Sequence, residues 1–225
     1  MAPARKLTRA ELARLDRLAS ERIGLPSAVL MENAGRGAAD EVLACLAARD
    51  GRVVILAGPG NNGGDACVVA RHLANAGVEV LVFATHRAED LAGDAATMRR
   101  AIERLEVPVR AADADDVGAA LARCSVAVDG LLGTGFRGAM RPPIARFVDA
   151  LNAARERGEF TVVALDLPSG LDADSGRPAQ PTVRADVTVT FAAWKVGFDA
   201  PEARPFLGRV ALKAIGVPAD LVDRP

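Results

Sequence analysis

The chain has 225 residues, of which 50% are hydrophobic and 25% charged, as in folded proteins with a sizeable core. A formal net charge of −1 argues against a broad basic surface for nucleic acid, and no uncharged apolar run approaches the ~18 residues of a membrane span. Tyrosine is absent and His72 and His86 are the only histidines, which excludes a catalytic tyrosine and argues against a multi-histidine metal site.

The hydrophobic pattern predicts a first helix over Thr8–Ala19, where Thr8 and Glu11 match a capping box, and a second helix over Ala28–Leu46. Short apolar strands then alternate with helices. The predicted strands are Val53–Ala57, Val78–Ala84, Val107–Arg110, Ser125–Val128, Thr161–Leu165, Val187–Phe191 and Val210–Lys213. The predicted helices between them are Asp65–Ala76, Ala92–Leu105, Val117–Arg123 and Pro142–Arg155. This alternation predicts an α/β fold whose mostly parallel sheet carries helices on both faces.

The N-terminal segment and the cysteines indicate the cellular compartment of the protein. The N-terminus mixes basic and acidic residues without an apolar stretch, which argues against a signal peptide. Cys45, Cys67 and Cys124 lie far apart without a C-x-x-C pair, so we expect free thiols and a cytoplasmic protein. No repeat or linker divides the sequence, and residues 1–225 are expected to form a single domain.

Three predicted strands end in polar or glycine-rich turns, at residues 58–65, 129–138 and 166–170. Ligands of open α/β sheets bind outside the carboxyl ends of the strands, so these turns are expected to meet in one crevice. The first turn contains G-x-G-x-x-G between a strand and a helix, the dinucleotide fingerprint. A dehydrogenase should carry an acidic residue for the ribose about 20 residues further on, but Phe83–His86 occupies that region.

The first turn also carries side-chain oxygens. Asn61, Asn62 and Asp65 could bind a ribose, a hydroxyl group or a cation. A carboxylate placed in the first turn of the following helix competes for the positive helix end that would hold a pyrophosphate. The alternative is a tight turn in which Asp65 stabilises the start of the helix.

The second turn combines glycines with Arg137, a pattern that suits an anion or a phosphate, although a flexible loop with a solvated arginine is the alternative. Asp129 directly follows a buried strand, where an unpaired carboxylate is costly. We therefore expect Asp129 to have a partner, and a cation is one candidate.

Asp166 in the third turn also follows a buried strand and is the best candidate for a general acid or base. Ser169 lies in P-S-G, which is not the G-x-S-x-G nucleophile elbow, so a ligand or hydrogen-bonding role is favoured over nucleophilic attack; a capped turn is the alternative. Lys195 either extends to the surface or points into the crevice. The chain has three lysines and prefers arginine elsewhere, which favours a chemical role for Lys195.

Taken together, the motifs resemble the NAD(P)H-hydrate epimerase family, the YjeF N-terminal domain. The matching segments are Leu7–Asp16, Leu30–Gly35, Gly58–Asp65, Asp129–Gly138, Asp166–Gly170, Thr190–Phe191 and Lys195–Gly197. The resemblance implies a Rossmann-like three-layer α/β/α sandwich and an isomerase that interconverts the R and S forms of hydrated NADH and NADPH (NADHX and NADPHX). A separate ATP- or ADP-dependent dehydratase would then repair the S form.

The resemblance also assigns roles to residues. It implies potassium ligands at Asn62, Asp129 and Ser169, and oxygen ligands of this kind suit a hard cation. The implied substrate-contacting positions are Asn61, Asn62, Gly63, Gly64, Asp65, Gly133, Thr134, Gly135, Phe136, Arg137, Gly138, Ala139 and Asp166. We predict that Asp166 exchanges protons with the substrate and that Lys195 tunes its charge or shares the proton. The chain departs from the family at Ala66, usually Gly, and at Trp194, often Pro.

Two other readings of the sequence stay open. A non-catalytic module of the same fold would bind a nucleotide or a protein, but the intact polar set at Asn62, Asp65, Asp129, Asp166 and Ser169 favours an enzyme. A nicotinamide-dependent oxidoreductase is disfavoured by the missing acidic residue. We expect no nucleic-acid or membrane partner, and a homodimer is the default expectation for the oligomeric state.

Overall fold

A computed structural model describes residues 5–46, 51–111, 113–158 and 160–223. The strands are β1 (Lys6–Leu7), β2 (Arg52–Ala57), β3 (Val80–Ala84), β4 (Val109–Ala111), β5 (Cys124–Gly130), β6 (Thr161–Leu165), β7 (Val187–Phe191), β8 (Trp194–Lys195) and β9 (Arg209–Lys213). The helices are α1 (Arg9–Ile23), α2 (Ser27–Leu46), α3 (Asn61–Asn75), α4 (Gly93–Arg104), α5 (Ala114–Leu121), α6 (Pro142–Arg157), α7 (Arg204–Leu207) and α8 (Ala219–Asp223).

Seven strands form one parallel sheet in the order β4-β3-β2-β5-β6-β7-β9. Within this sheet the chain first forms β2, in the interior, and then β3 and β4 toward one edge. It then returns to form β5 on the other side of β2. The strand order therefore reverses between β2 and β5. In folds of this type, the crevice at the carboxyl ends of the two strands that flank the reversal is where ligands bind.

Both faces of the sheet are covered by helices, as the alternating pattern predicts. On one face α2, α3 and α4 bury apolar side chains such as Val42, Leu73 and Ile102. On the other face α5 and α6 bury Leu121 and Leu151 against the same strands. The α/β sandwich with a parallel central sheet is thus confirmed, and its three layers leave the carboxyl ends of the strands free to hold a site.

Several boundaries differ from the predicted ones. Helix α3 begins at Asn61, four residues before the predicted start, because Gly60 takes the extended N-cap position and its carbonyl accepts the Gly64 N–H at 3.1 Å. Asp65 therefore lies in the second turn of α3, and the prediction that it occupies the first turn is wrong. Strand β5 continues through Asp129 to Gly130, and α5 begins at Ala114, capped by Asp113.

A short strand precedes the first helix in the described part of the chain. Lys6–Leu7 forms β1, which pairs in parallel with β8, and the Lys6 ammonium contacts both carboxylate oxygens of Asp199 at 2.7 Å. The capping box predicted at Thr8 and Glu11 is present and starts α1 directly after this strand. Strand pairing thus attaches α1 to the end of the chain that carries Lys195.

The three cysteines are free, as expected. Over the described ranges, no helix combines the length and the apolar character that crossing a membrane requires.

Candidate active site

A cavity of about 990 Å³ lies at the carboxyl ends of the strands, where the strand order reverses. One side, the sheet-edge wall, consists of the turns after β2, β5, β6 and β7. Another part of the lining consists of residues from α1 and α2. The α1 part, called the helical wall below, contributes Arg9, Leu12, Ala13 and Asp16. A volume of this size is at the upper end of what ligand sites usually offer, about 300–1,000 Å³.

The β2–α3 turn depends on glycine because the backbone folds back on itself. A Cβ at Gly63 would come within 1.9 Å of the Gly58 carbonyl oxygen, and one at Gly58 within 1.8 Å of the Leu131 oxygen. The two glycines let the start of α3 lie against the end of β5. This contact brings Asn61 and Asn62 to the edge of the cavity.

The centre of the sheet-edge wall is an ion pair between Asp166 and Lys195. Lys195 is 1% exposed, and its ammonium also donates to Thr190 Oγ1 at 2.7 Å and to the carbonyls of Phe191 and Ala193 at 3.2 and 3.4 Å. Asp166 accepts a longer bond of 3.4 Å from the Thr134 N–H and faces the cavity. The lysine points into the crevice, which decides between the two orientations that the sequence left open.

Backbone strain is concentrated at the same place. Asp166 and Ala192 have φ values of 65° and 60°, in the left-handed region that residues with a Cβ seldom occupy. Each is the centre of a three-residue turn at the end of its strand, closed by Leu167 N–H to Leu165 O at 2.8 Å and by Ala193 N–H to Phe191 O at 2.7 Å. Such strain is typical of functional sites, where it fixes the direction of a side chain.

Asp129 and Ser169 lie beneath the cavity floor and contact each other. The Asp129 carboxylate accepts the Ser169 hydroxyl at 2.6 Å, the Ser169 N–H at 2.8 Å and the Leu131 N–H at 3.2 Å. Burial raises the pKa of Asp129 to about 6, while the hydrogen bonds from Ser169 and Leu131 oppose the rise. Asp129 thus has the partners that its buried position requires. The Ser169 hydroxyl is bound to a carboxylate, without a histidine, which agrees with its assignment as a ligand or hydrogen-bonding group.

Asn62 leaves one buried oxygen without a partner. Its amide nitrogen donates to the Leu132 carbonyl at 2.9 Å, whereas its Oδ1 atom is buried and accepts no hydrogen bond. The Leu132 carbonyl in turn lies 3.2 Å from the Ser169 hydroxyl. Amide, hydroxyl, carbonyl and carboxylate oxygens are thus held together, and such oxygens suit a hard monovalent or divalent cation.

Two further carboxyl groups that line the cavity have raised pKa values. Burial, reinforced by Asp166 and Asp16, raises the pKa of Asp65 well above its ordinary value. Asp65 is 9% exposed and makes no hydrogen bond or ion pair with the described residues. Burial and the nearby Asp166 also raise the pKa of Asp16, while Lys195 opposes the rise. One lysine therefore balances three carboxyl groups.

The rim of the cavity has the opposite charge. Arg137 and Arg141 are exposed there and form no ion pair with the described residues, and His86 lies at the end of the β3 side. Two arginines are thus exposed at the cavity, whereas the Asp65 carboxyl group is buried within it. An anionic group of a ligand would be attracted to the rim, and a neutral or cationic part would fit the interior.

The structure brings most of the predicted site residues together. Those that line the cavity are Asn61, Asn62, Asp65, Gly133, Thr134, Gly135, Phe136, Arg137, Ala139, Asp166 and Lys195. Asp129 and Ser169 lie below its floor, and Gly63, Gly64 and Gly138 do not line it. No three His, Cys, Asp or Glu side chains within the described ranges are close enough to form a metal site. The predicted potassium ligands include only one such side chain, so this finding leaves them untested.

Sequence reasoning missed the contribution of α1. Arg9, Leu12, Ala13 and Asp16 follow the i, i+3, i+4, i+7 spacing of a single helical face, and that face lines the cavity. The signal was present in the sequence, because Asp16 interrupts the apolar side of an otherwise amphipathic helix. Residues from α2, among them Leu30 and Met31, complete this side.

The two departures from the family pattern both lie outside the cavity. Ala66 is fully buried and packs against Gly130, where an added Cβ would come within 2.6 Å of the alanine methyl. Trp194 packs edge to face on Phe198, with ring centroids 6.2 Å apart. The Trp194 N–H, which a proline would lack, donates to the Arg5 carbonyl at 3.0 Å. Neither side chain lines the cavity.

Comparison with known proteins identifies the family. The family model described as YjeF-related protein N-terminus matches residues 27–197. The chain belongs to this family. It is 41% identical over 216 residues to a protein of Rhodopirellula baltica named NAD(P)H-hydrate epimerase, covering 96% of this chain and 86% of that protein. A protein of Pirellula staleyi with the same name is 39% identical and is covered to 91%, with 93% of this chain aligned. The predicted resemblance to this isomerase family is confirmed.

Other relatives are longer. A protein of Moorella thermoacetica named bifunctional NAD(P)H-hydrate repair enzyme Nnr is 40% identical over 96% of this chain, which spans 41% of that relative's length. Among solved structures, the crystal structure of yeast ynu0 is similar with a TM-score of 0.82 and 26% identity, covering 98% of this chain and 93% of the yeast chain. The whole arrangement of strands and helices is therefore shared with a known member of this fold.

Proposed function

We propose that this protein interconverts the R and S forms of hydrated NADH and NADPH, the reaction in the names of its relatives from Rhodopirellula baltica and Pirellula staleyi. The observation that carries the proposal is the Asp166–Lys195 pair at a cavity where the strand order reverses. A bifunctional relative joins a similar segment to additional sequence. In this chain we expect the dehydratase step to be supplied by a separate domain or protein.

The charge distribution suggests how the dinucleotide lies. Its phosphates are attracted to Arg137 and Arg141 at the rim, and the glycines at 133 and 135 allow the backbone to approach them closely. The hydrated nicotinamide ring then reaches the interior, next to Asp166. Leu12, Leu30 and Met31 supply an apolar surface for the ring on the helical side.

The chemistry needs an acid and a base. The hydrated carbon bears a hydroxyl beside the ring nitrogen, and its configuration inverts when the hydroxyl is lost, or the ring opens, and the bond re-forms on the other face. Asp166 exchanges the proton at this centre. The Lys195 ammonium pairs with Asp166 and, because it also donates to Thr190, cannot easily move away. The left-handed backbone at Asp166 fixes the direction of the carboxylate before substrate arrives.

The potassium ion implied by the family fits the residues around Asn62. The unpartnered Oδ1 atom of Asn62 and the oxygens of Ser169 and Asp129 would hold it. A bound monovalent cation would fix the β5 and β6 turns and offset the negative charge near the substrate. Asn62, Asp129 and Ser169 come from α3, β5 and the turn after β6, so the ion would join three segments that the cavity depends on.

The decisive experiment is epimerisation of purified hydrate by the wild-type protein and by Asp166→Asn. The R form is supplied alone, and its conversion is followed as the S form is consumed by an added dehydratase. We expect the variant to lose a factor of about 10² or more in kcat, the usual contribution of a positioned acid or base. Near-normal conversion by the variant would contradict the role of Asp166. A wild-type protein that binds the hydrate without converting it would favour a non-catalytic binding module.

The cation is tested separately by thermal unfolding in equal concentrations of potassium, sodium and choline chloride. We expect the midpoint to rise with potassium in the wild-type protein and in Asn61→Ala, whose side chain is exposed at the same turn. Asn62→Ala should lose this dependence because it removes the unpartnered Oδ1 atom. Equal responses of the two alanine variants would contradict a cation at Asn62.

A further inference from the structure

Helix α1 presents the carboxyl group of Asp16 to the cavity. The family resemblance assigns no role to this residue. Asp16 lies on the face formed with Arg9, Leu12 and Ala13, and this face lines the same cavity as Asp166. The adjoining side of α1 is held in place by Leu15 and Ala19, which are completely buried. Asp16 is thus carried by an anchored helix, and it reaches the cavity from a different element than the sheet-edge turns.

The Asp16 carboxyl group has no binding partner in the described part of the protein. It forms no hydrogen bond or ion pair with the described residues, while Arg9 on the same face is held by Asp172 at 2.9 Å. The charged groups that act on Asp16 from the surrounding elements are Asp65 on α3, Asp166 after β6 and Lys195 on β8. Burial and Asp166 raise the pKa of Asp16, while Lys195 opposes the rise.

Lys195 cannot neutralise all of these groups. Its ammonium has three protons, and Asp166, Thr190 and two backbone carbonyls already accept them. Lys195 is therefore engaged with Asp166, whereas Asp16 and Asp65 form no ion pair with the described residues. Neighbouring carboxyl groups in such different environments are the arrangement from which an acid and a base are built.

A second observation points to a ligand between the two sides. Asp65 faces the cavity, is 9% exposed and has no partner among the residues that the structure describes. A buried carboxyl group without a partner is costly unless a ligand supplies one.

We propose that Asp16 is a second acid–base residue of the epimerase, acting on the opposite face of the substrate ring from Asp166. This rests on the proposed function. Inversion requires an oxygen to leave one face of the carbon and return to the other, and a carboxyl group on a single wall reaches only one face.

The proton balance of the reaction is simple. Asp16 donates its proton to the hydroxyl oxygen as the carbon–oxygen bond breaks, the ring nitrogen's lone pair forms a carbon–nitrogen double bond, and water leaves. A water molecule then adds to the opposite face of the carbon. Its proton passes to the Asp166 carboxylate, and the double-bond electrons return to nitrogen. In the reverse direction the two carboxyl groups exchange roles, and solvent in the open cavity restores their protonation.

The test compares Asp16→Asn with Glu21→Gln, which removes a carboxylate from an exposed position on the same helix. We expect Asp16→Asn to lower kcat roughly a hundredfold with KM changed less than about threefold, and Glu21→Gln to leave both unchanged. The wild-type dependence of kcat on pH should be bell-shaped, and Asp16→Asn should keep a single limb. Asp16→Glu, which restores the acid, should recover part of the rate.

The outcomes separate the two levels of the proposal. An active wild-type protein whose Asp16→Asn variant keeps kcat within twofold, or changes only in KM, overturns the role of Asp16 and leaves the epimerase assignment intact. A wild-type protein without epimerase activity overturns both. If Asp16→Asn does not fold, the wild-type pH profile still decides, because a profile with one limb contradicts a second titrating group.

Discussion

The sheet-edge wall and the helical wall of the cavity hold their charged groups in different ways. On the sheet edge, Asp166 is ion-paired with Lys195, and its backbone is fixed by a strained turn. On the helical wall, Asp16 lies free at the surface of a helix whose position depends on the short β1–β8 pairing. The sheet edge supplies an ion pair on a fixed backbone, and the helical wall supplies a carboxyl group without a partner among the described residues.

Among the variants that test this contrast, Lys195→Met is expected to have the largest effect on stability and activity. It removes the cation that the carboxyl groups share. Breaking a buried pair by removing one partner costs about 3–5 kcal/mol, because the remaining charge stays buried. We expect a loss of that size in the free energy of unfolding at pH 7, measured by urea denaturation, together with loss of epimerase activity. The double variant Lys195→Met with Asp166→Asn should recover part of the stability.

Lys213→Met is the matched control. Lys213 pairs with Glu41 at 2.8 Å, but its side chain is 27% exposed. A partly exposed pair of this kind is worth about 0–1 kcal/mol. If the two lysine variants lost equal stability, the Asp166–Lys195 pair would not be the structural centre of the sheet-edge wall.

The contrast between the two walls also explains which site residues could be predicted from the sequence. Asp129 lies near the end of the apolar strand β5 and Asp166 directly follows β6, so a local pattern was sufficient to place both at the same edge. The parallel order of the strands followed from their alternation with helices. The glycine turns of residues 58–64 marked the start of α3, although the helix begins earlier than its apolar spacing indicates because residues 61–64 contribute no large apolar side chain.

The helical wall could not be placed by local patterns. Helix α1 itself was predicted, but its position over the site depends on a parallel pairing between β1 and β8, which are at opposite ends of the chain. Two-residue strands are too short to give a hydrophobic pattern. The pairing is stabilised by the Trp194 N–H bond to the Arg5 carbonyl and by the contact between Lys6 and Asp199. Only the folded structure shows that Asp16 lines the same cavity as Asp166.

Asp65→Asn is expected to increase stability, by less than Lys195→Met decreases it. Burial raises the pKa of Asp65 above the 3.8 of an ordinary aspartate, so between these two values the folded state binds a proton that the unfolded state has released. Stability therefore falls as pH rises through this window, and the penalty is complete above the folded-state pKa. Removing the carboxylate should raise the melting temperature at pH 7, and the gain should disappear below about pH 3.8.

The change in melting temperature caused by Asp65→Asn is measured by differential scanning calorimetry at pH 7 and pH 3.5. Asp40→Asn is the control because Asp40 is exposed on α2. About 1 kcal/mol corresponds to roughly 2–4 °C in a domain of this size, so the shift is measurable. A variant that is less stable than the wild type at pH 7 would mean that Asp65 is held by a partner in the protein. The contrast between a paired Asp166 and unpaired carboxyl groups would then be lost.

The smallest effect concerns the attachment of the helical wall. Thr8→Ala removes the hydroxyl that accepts the Glu11 N–H at 3.3 Å and donates to the Glu11 carboxylate at 2.7 Å, so the capping box is lost. Loss of such a cap costs about 1 kcal/mol, whereas Thr8→Ser keeps the hydroxyl and should cost less. Hydrogen exchange by mass spectrometry should show faster exchange in α1 and unchanged exchange in β2 and β5. Faster exchange across the sheet as well would mean that the two walls unfold together.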